Sequence, residues 1–281
     1  MCRSVYLCSS RGGGDLELIL QGFRGVKNLN KESHNSNIKH HYKNTKGFTL
    51  AEVLITLGII GIVAAMTMPS LINSFKAKAL ENQFKKSNSV LQQALKNSVF
   101  EIGYGDITEF NIPGRQVTTE NFSELKENVE KLNEVWVKQF VDAKKLDRVT
   151  LQRAKKYCYN IIGTRLASGE MCFFQAGDNG TYILPNGMLV SKLFAQNGGT
   201  NHPGNIRFVF DTNGPYKGPN RYGHDIFIYD SVSNYNTECN PIRGTSHSNE
   251  GCYSWANRNV DPIDNSKPYW NMLFKPESYF K

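Results

Sequence analysis

One carboxylate stands where charge is costly. Glu52 is the fifth residue of an apolar run that opens at Phe48, and no other charged side chain follows until Lys76. Charge at bilayer depth is expensive enough to be functional by default. Directly before the run stand Lys46 and Gly47. A chain cut after Gly47 would carry a charged amine on Phe48 at nearly the same depth, and Glu52 is the counter-charge available to it. In a staggered stack of parallel helices, the Glu52 carboxylate of one subunit would meet the Phe48 amine of its neighbour. That contact would neutralise the pair and set the axial register.

Two further groups could do chemistry. Four cysteines, Cys158, Cys172, Cys239 and Cys252, lie well beyond the apolar run. They permit three connectivities, of which sequence proximity favours Cys158 with Cys172 and Cys239 with Cys252. Each pair closes a loop of just over a dozen residues, worth about 3 kcal/mol in the chain-entropy account. Zinc is the weaker reading, because no Cys-x-x-Cys pair occurs. The second group is the segment from Asp211 to Asp225, whose opening Asp211-Thr-Asn213-Gly resembles a calcium loop with alternating oxygen ligands. The distal Glu of that loop type is absent, and Asp-x-Asn-Gly-Pro is also a sound turn. Asp211, Asn213 and Asp225 are therefore read first as a turn and second as calcium ligands. His202, His224 and His247 are scattered, with no nucleophile motif, no His-Glu-x-x-His and no nucleotide loop beside them, so no catalytic residue is expected.

The elements that would position Gly47, Phe48 and Glu52 can be read from the pattern. Val53 to Phe75 is free of charge and lies within the roughly 17–25 residues that cross a hydrocarbon core as a helix. Helical periodicity continues beyond it, with Ile72, Phe75, Ala79-Leu80, Phe84, Val90-Leu91, Ala94-Leu95 and Val99 forming an apolar stripe among lysines. The spacing predicts one helix from Phe48 to about Phe100, roughly 80 Å long, whose second half packs on a soluble head. Gly58, Gly61 and Pro69 interrupt its apolar half, and a bend or break is expected between Gly61 and Pro69.

This amino-terminal pattern resembles the signature of type IV pilins and of the pseudopilins of type II secretion. A basic leader ends in Gly47; Phe48, Thr49-Leu50-Ala51-Glu52 and an unbroken apolar helix follow, and Pro69 falls at the twenty-second position after Gly47. The resemblance implies cleavage after Gly47 by a membrane prepilin peptidase, which also methylates the new Phe48 amine. It further implies residence in membrane lipid before assembly, an inner-membrane assembly platform, and a helical filament of similar subunits. In filaments of similar proteins the region between Gly61 and Pro69 is a weak point of the helix. At 47 residues the leader is longer than most in that family, and a start at Val26 would give a more usual one.

Charge and layout agree with this plan. The net charge is +8, but residues 1–47 hold eight Lys or Arg against three acids, and the remainder is only +3. A nucleic-acid partner is not implied. The basic residues beside the span place the leader in the cytoplasm and the head beyond the inner membrane, in the periplasm or on the cell surface after assembly. There disulfides are favoured. The expected divisions are a leader (1–47), a membrane and assembly helix (48–75), an amphipathic helix (76–103) and a head (104–281).

Within the head, a second helical pattern runs from about Thr119 to Leu146, with Thr119 or Asn121 as its cap. Strands are expected at Glu170–Ala176, Gly180–Leu184, Met188–Phe194, Ile206–Phe210 and Asp225–Asp230, with a Pro185-Asn186-Gly187 turn. Residues 231–281 read as a loop-rich tail with Tyr253, Trp255, Tyr269 and Trp270. The fold class is α+β: a long amino-terminal helix packed on an antiparallel sheet. Two functions follow, a structural filament subunit or a filament-displayed head that captures DNA, a surface or a substrate.

Overall fold

The computed structural model describes residues 47–147, 180–197, 203–214, 216–232, 239, 252–276 and 279. Packing divides the chain into two units, one through Leu54 and one from Ile55 onward. The described part of the first holds residues 47–49, outside regular secondary structure, and the opening turn of helix α1, which spans Leu50–Glu101.

Within the second unit, α1 ends on glycine. Gly103 takes φ +93°, and the amides of Gly103 and Tyr104 donate to the carbonyls of Phe100 and Val99. This double bond pattern satisfies carbonyls that the helix leaves open. The packing face of α1 starts at Ala77 and recurs at Glu81, Phe84, Ser87, Leu91, Ala94, Leu95, Ser98 and Val99. Four residues of the expected stripe lie outside it: Ile72 is 48% exposed, Phe75 67% and Val90 39%, and Ala79 is exposed as well. They fall off the helical phase set by Ala77, Phe84, Leu91 and Ser98, so apolar type alone misplaced them.

Helix α2 spans Thr119–Trp136 and is capped by Thr118 rather than by Thr119 or Asn121. The Thr118 hydroxyl accepts from the Asn121 backbone amide while the Asn121 side-chain oxygen Oδ1 accepts from the Thr118 amide, a reciprocal capping box. The helix stops ten residues short of the expected Leu146. A 3-10 turn covers Val137–Gln139, Asp142 turns the chain at φ +60°, and Lys144–Leu146 pairs as strand β1.

The sheet is antiparallel throughout: β1, β2 (Thr181–Ile183), β3 (Leu189–Ser191), β4 (Phe194–Gln196), β5 (Asn205–Asp211) and β6 (Ile226–Asp230). The Pro185-Asn186-Gly187 turn joins β2 to β3, with the Gly187 amide donating to the Leu184 carbonyl at 2.8 Å. Strands β3 and β4 occupy the same edge of β5, and β6 occupies the other. The strands thus succeed one another across the sheet in chain order.

The expected single strand Met188–Phe194 is divided, because its register against β5 advances by one residue between Val190↔Phe210 and Phe194↔Arg207. That is a β-bulge at Lys192-Leu193. Its loosened backbone is held by α2: Asn133 donates to the Leu193 carbonyl at 2.9 Å and accepts from its amide at 2.8 Å, and the Trp136 indole donates to the Ser191 carbonyl at 3.1 Å. The expected strand Glu170–Ala176 lies outside the described residues.

The core sits between α1, α2 and one face of the sheet. Phe84 is its centre, with ring centroids of Phe227 at 4.7 Å, Trp270 at 5.3 Å, Tyr253 at 5.8 Å and Phe210 at 6.1 Å. The tail, expected to be loop-rich, contributes two short helices, α3 (Cys252–Arg258) and α4 (Tyr269–Met272). Its aromatics supply the buried side chains that hold these helices to the sheet. Cys239 and Cys252 form a disulfide with 4.5 Å between their Cα atoms; Cys158 and Cys172 lie outside the described residues.

Candidate assembly site

Thr49 and Glu52 form a second reciprocal cap, at the start of α1. The Thr49 hydroxyl accepts from the Glu52 amide at 3.2 Å, and Glu52 Oε2 accepts from the Thr49 amide at 2.8 Å and the Thr49 hydroxyl at 2.9 Å. Thr-x-x-Glu is a capping-box sequence, a signal present in the chain that the charge argument alone passes over. Glu52 therefore has a local structural task as well as its charge. Both Thr49 donors go to the same oxygen, Oε2. Phe48 is 88% exposed beside it.

Beyond Glu52 the helix presents its apolar side chains outward. None of this apolar stretch is buried. The hydroxyls of Thr67 and Ser74 donate back to the carbonyls of Val63 and Ser70 at 2.9 and 3.0 Å, so these polar groups are satisfied inside the helix. One long apolar helix that could span a membrane is thereby present. In the single chain α1 is helical through Gly58, Gly61 and Pro69, where the sequence suggested a bend or break. A Cβ added at Gly58 or Gly61 would meet nothing within 4 Å. Nothing in the fold of one chain requires glycine there.

The segment from Asp211 to Asp225 is built as a turn. Asp211 Oδ1 accepts from the amides of Asn213 and Gly214, both at 2.9 Å. Asp225 Oδ1 accepts from the Arg221 amide at 2.7 Å, and its Oδ2 from the Asn220 amide at 2.8 Å. The Asn213 side-chain amide donates to the Gly218 carbonyl at 3.0 Å. Gly214 sits at φ +94° against Gly187, whose carbonyl oxygen would lie 2.2 Å from any added Cβ. Both carboxylates thus serve backbone amides within the β5–β6 loop, the geometry of the turn reading, while Gly214 lets that loop approach the β2–β3 turn at Gly187. Among the described residues no group of three or more His, Cys, Asp or Glu is placed to hold a metal ion.

Three other polar features escaped the sequence pattern. Glu81, buried on the packing face of α1, accepts from Lys85 at 2.5 Å and Lys78 at 2.9 Å; the Lys85 bond first, then Lys78, holds its carboxyl below the usual range. Arg207 pairs with Asp230 at 2.8 Å with both side chains nearly buried. His224, 2% exposed, stands edge-on to Phe274. His202 and His247 lie outside the described residues.

A family model described as the prokaryotic N-terminal methylation motif matches residues 42–68. The matched segment contains Gly47, Phe48, Glu52, Gly58 and Gly61 and stops one residue before Pro69. No curated protein and no solved structure matches the chain.

Proposed function

Residues 42–68 carry the prokaryotic N-terminal methylation motif, the signature of type IV pilin and pseudopilin precursors, and from this premise we propose that the chain is a structural filament subunit. Prepilin peptidase cuts after Gly47, the Phe48 amine is methylated, and α1 holds the subunit in the inner membrane with its head outside the cytoplasm. Assembly into a type IV pilus or a type II secretion-like filament then proceeds through the apolar half of α1 and other pilin-like subunits. The observation that carries this reading is at Glu52. Its exposed carboxylate is fixed by Thr49 through one oxygen, four residues after the exposed Phe48. A fixed anion at the edge of an unburied apolar helix suits the amine of a neighbouring chain, where opposite charges meet in low dielectric.

Mass spectrometry of the membrane-extracted amino terminus tests the reading, in cells that possess the peptidase. The expected species begins at methylated Phe48. An intact leader in those cells would overturn the assignment.

A further inference from the structure

At the foot of the head, a crevice of about 440 Å³ lies between α1 and the end of α4, lined chiefly by Ser70, Asn73, Ser74, Asn271, Phe274 and Lys275. We infer that it holds the anionic headgroup of a phospholipid while the subunit resides in the membrane. The inference rests on the reading of α1 as a membrane span.

Depth is the first support. The uncharged stretch Val53–Phe75 has 23 residues, about 35 Å of helix at 1.5 Å per residue. A hydrocarbon core is roughly 30 Å thick. The last turn therefore emerges among headgroups, and Asn73 and Ser74 fall in it, with Ser70 one turn below them. Charge is the second. Between Lys76 and Phe100 the sole acid is Glu81, and Lys78 and Lys85 already engage it. Lys76 and Lys86 remain beside them on the same helix, and at the crevice itself the Lys275 ammonium, 6.0 Å from the Tyr279 ring centre, has no carboxylate partner among the described residues. Shape is the third. The Ser70 hydroxyl, the Asn73 and Asn271 amides and the Lys275 ammonium line the crevice as donors for a phosphodiester, the Ser74 hydroxyl being spent on the Ser70 carbonyl, and Phe274 adds an apolar wall for the start of an acyl chain. A lysine close to an anionic surface contributes about 1 kcal/mol of attraction, roughly a fivefold preference.

Native mass spectrometry of the full chain in detergent micelles, with equal phosphatidylglycerol and phosphatidylcholine, reads this directly. Phosphatidylglycerol adducts should exceed phosphatidylcholine adducts roughly fivefold in the wild type and in Lys275→Arg. Lys275→Glu should bring the ratio to about one, while Lys144→Glu, the same charge change on β1, should leave it unaltered. Equal adducts in the wild type, or an equal loss in both glutamate variants, would overturn the inference. So would displacement of the adduct by millimolar inorganic phosphate, or a lipid-free species with the mass of two chains. A chain that fails to enter the detergent phase refutes the membrane span and this site with it; one that enters but shows no headgroup preference refutes the site alone.

Discussion

Glu52→Gln separates the cap that the structure shows from the counter-charge role proposed for the same side chain. As a cap, Glu52 needs only an acceptor, since Oε2 takes the Thr49 amide and hydroxyl at 2.8 and 2.9 Å. Glutamine supplies that acceptor, and capping boxes use Glu or Gln alike. As a counter-charge, Glu52 must be ionised, and glutamine leaves the neighbouring Phe48 amine stranded in low dielectric. On insertion scales a stranded charge of that kind reduces the favourable equilibrium by about a hundredfold. Filament incorporation of Glu52→Gln should therefore fall about a hundredfold at each addition, with cleavage after Gly47 and head folding unchanged. Glu52→Ala loses cap and charge together and should do no better, whereas Glu52→Asp keeps the charge and should retain part of the incorporation. The assay is the ratio of each variant in sheared filaments to its amount in membranes, with wild type expressed beside it. If Glu52→Gln enters filaments at the wild-type level while Glu52→Ala does not, the residue is a cap and the counter-charge argument fails.

Removing the Asn133 side chain leaves the buried amide and carbonyl of Leu193 without partners, so Asn133→Ala should destabilise the head by about 2–5 kcal/mol, measured by thermal unfolding of the full chain in micelles. Phe84→Ala should cost about 3–5 kcal/mol, while Phe75→Ala, nine residues earlier on the same helix but 67% exposed, should leave the melting of the head unchanged. With Cys239 and Cys252 joined, non-reducing peptide mapping of the mature chain should find Cys158 bonded to Cys172; free thiols at both would refute the pairing. Burial, together with the Asp261 carboxylate to which its hydroxyl donates at 2.6 Å, pushes Tyr279 up to about 12. Its tie is therefore complete below the ordinary tyrosine value near 10 and lost as pH rises through about 12; ultraviolet titration should lose that step in Tyr279→Phe.

The main elements were legible where a local signal decides them. The uncharged run, Gly103 and the Pro185-Asn186-Gly187 turn located α1, its end and one hairpin. What was not legible depended on partners distant in the chain. The bulge at Lys192-Leu193 cannot be seen in the strand, since its backbone is satisfied from α2 by Asn133 and Trp136. Likewise α2 stops at Trp136 because Lys144–Leu146 has a better use as an edge strand against Thr181–Ile183. The short tail helices stand because Tyr269 and Trp270 are buried, and tertiary packing, more than propensity, stabilises helices of that length.

Helix α1 shows the same limit within a single element. Phe75 and Phe84 are alike in type, yet one is exposed and the other is 1% exposed at the centre of the head. Hydrophobicity identifies residues that leave water but does not say whether they enter lipid or protein, as both media are apolar. Phase and charge make the distinction: burial begins at Ala77, directly after the first lysine, and repeats on the helical period thereafter. Before Ala77 no apolar side chain of α1 is buried, and Gly58 and Gly61 have open space where a Cβ would project. Glycine lowers helix stability, and here no close contact within the chain offsets that cost. Small residues on an apolar helix let another helix approach closely; under the proposed assembly that helix belongs to a neighbouring chain, on the same half of α1 that carries Glu52.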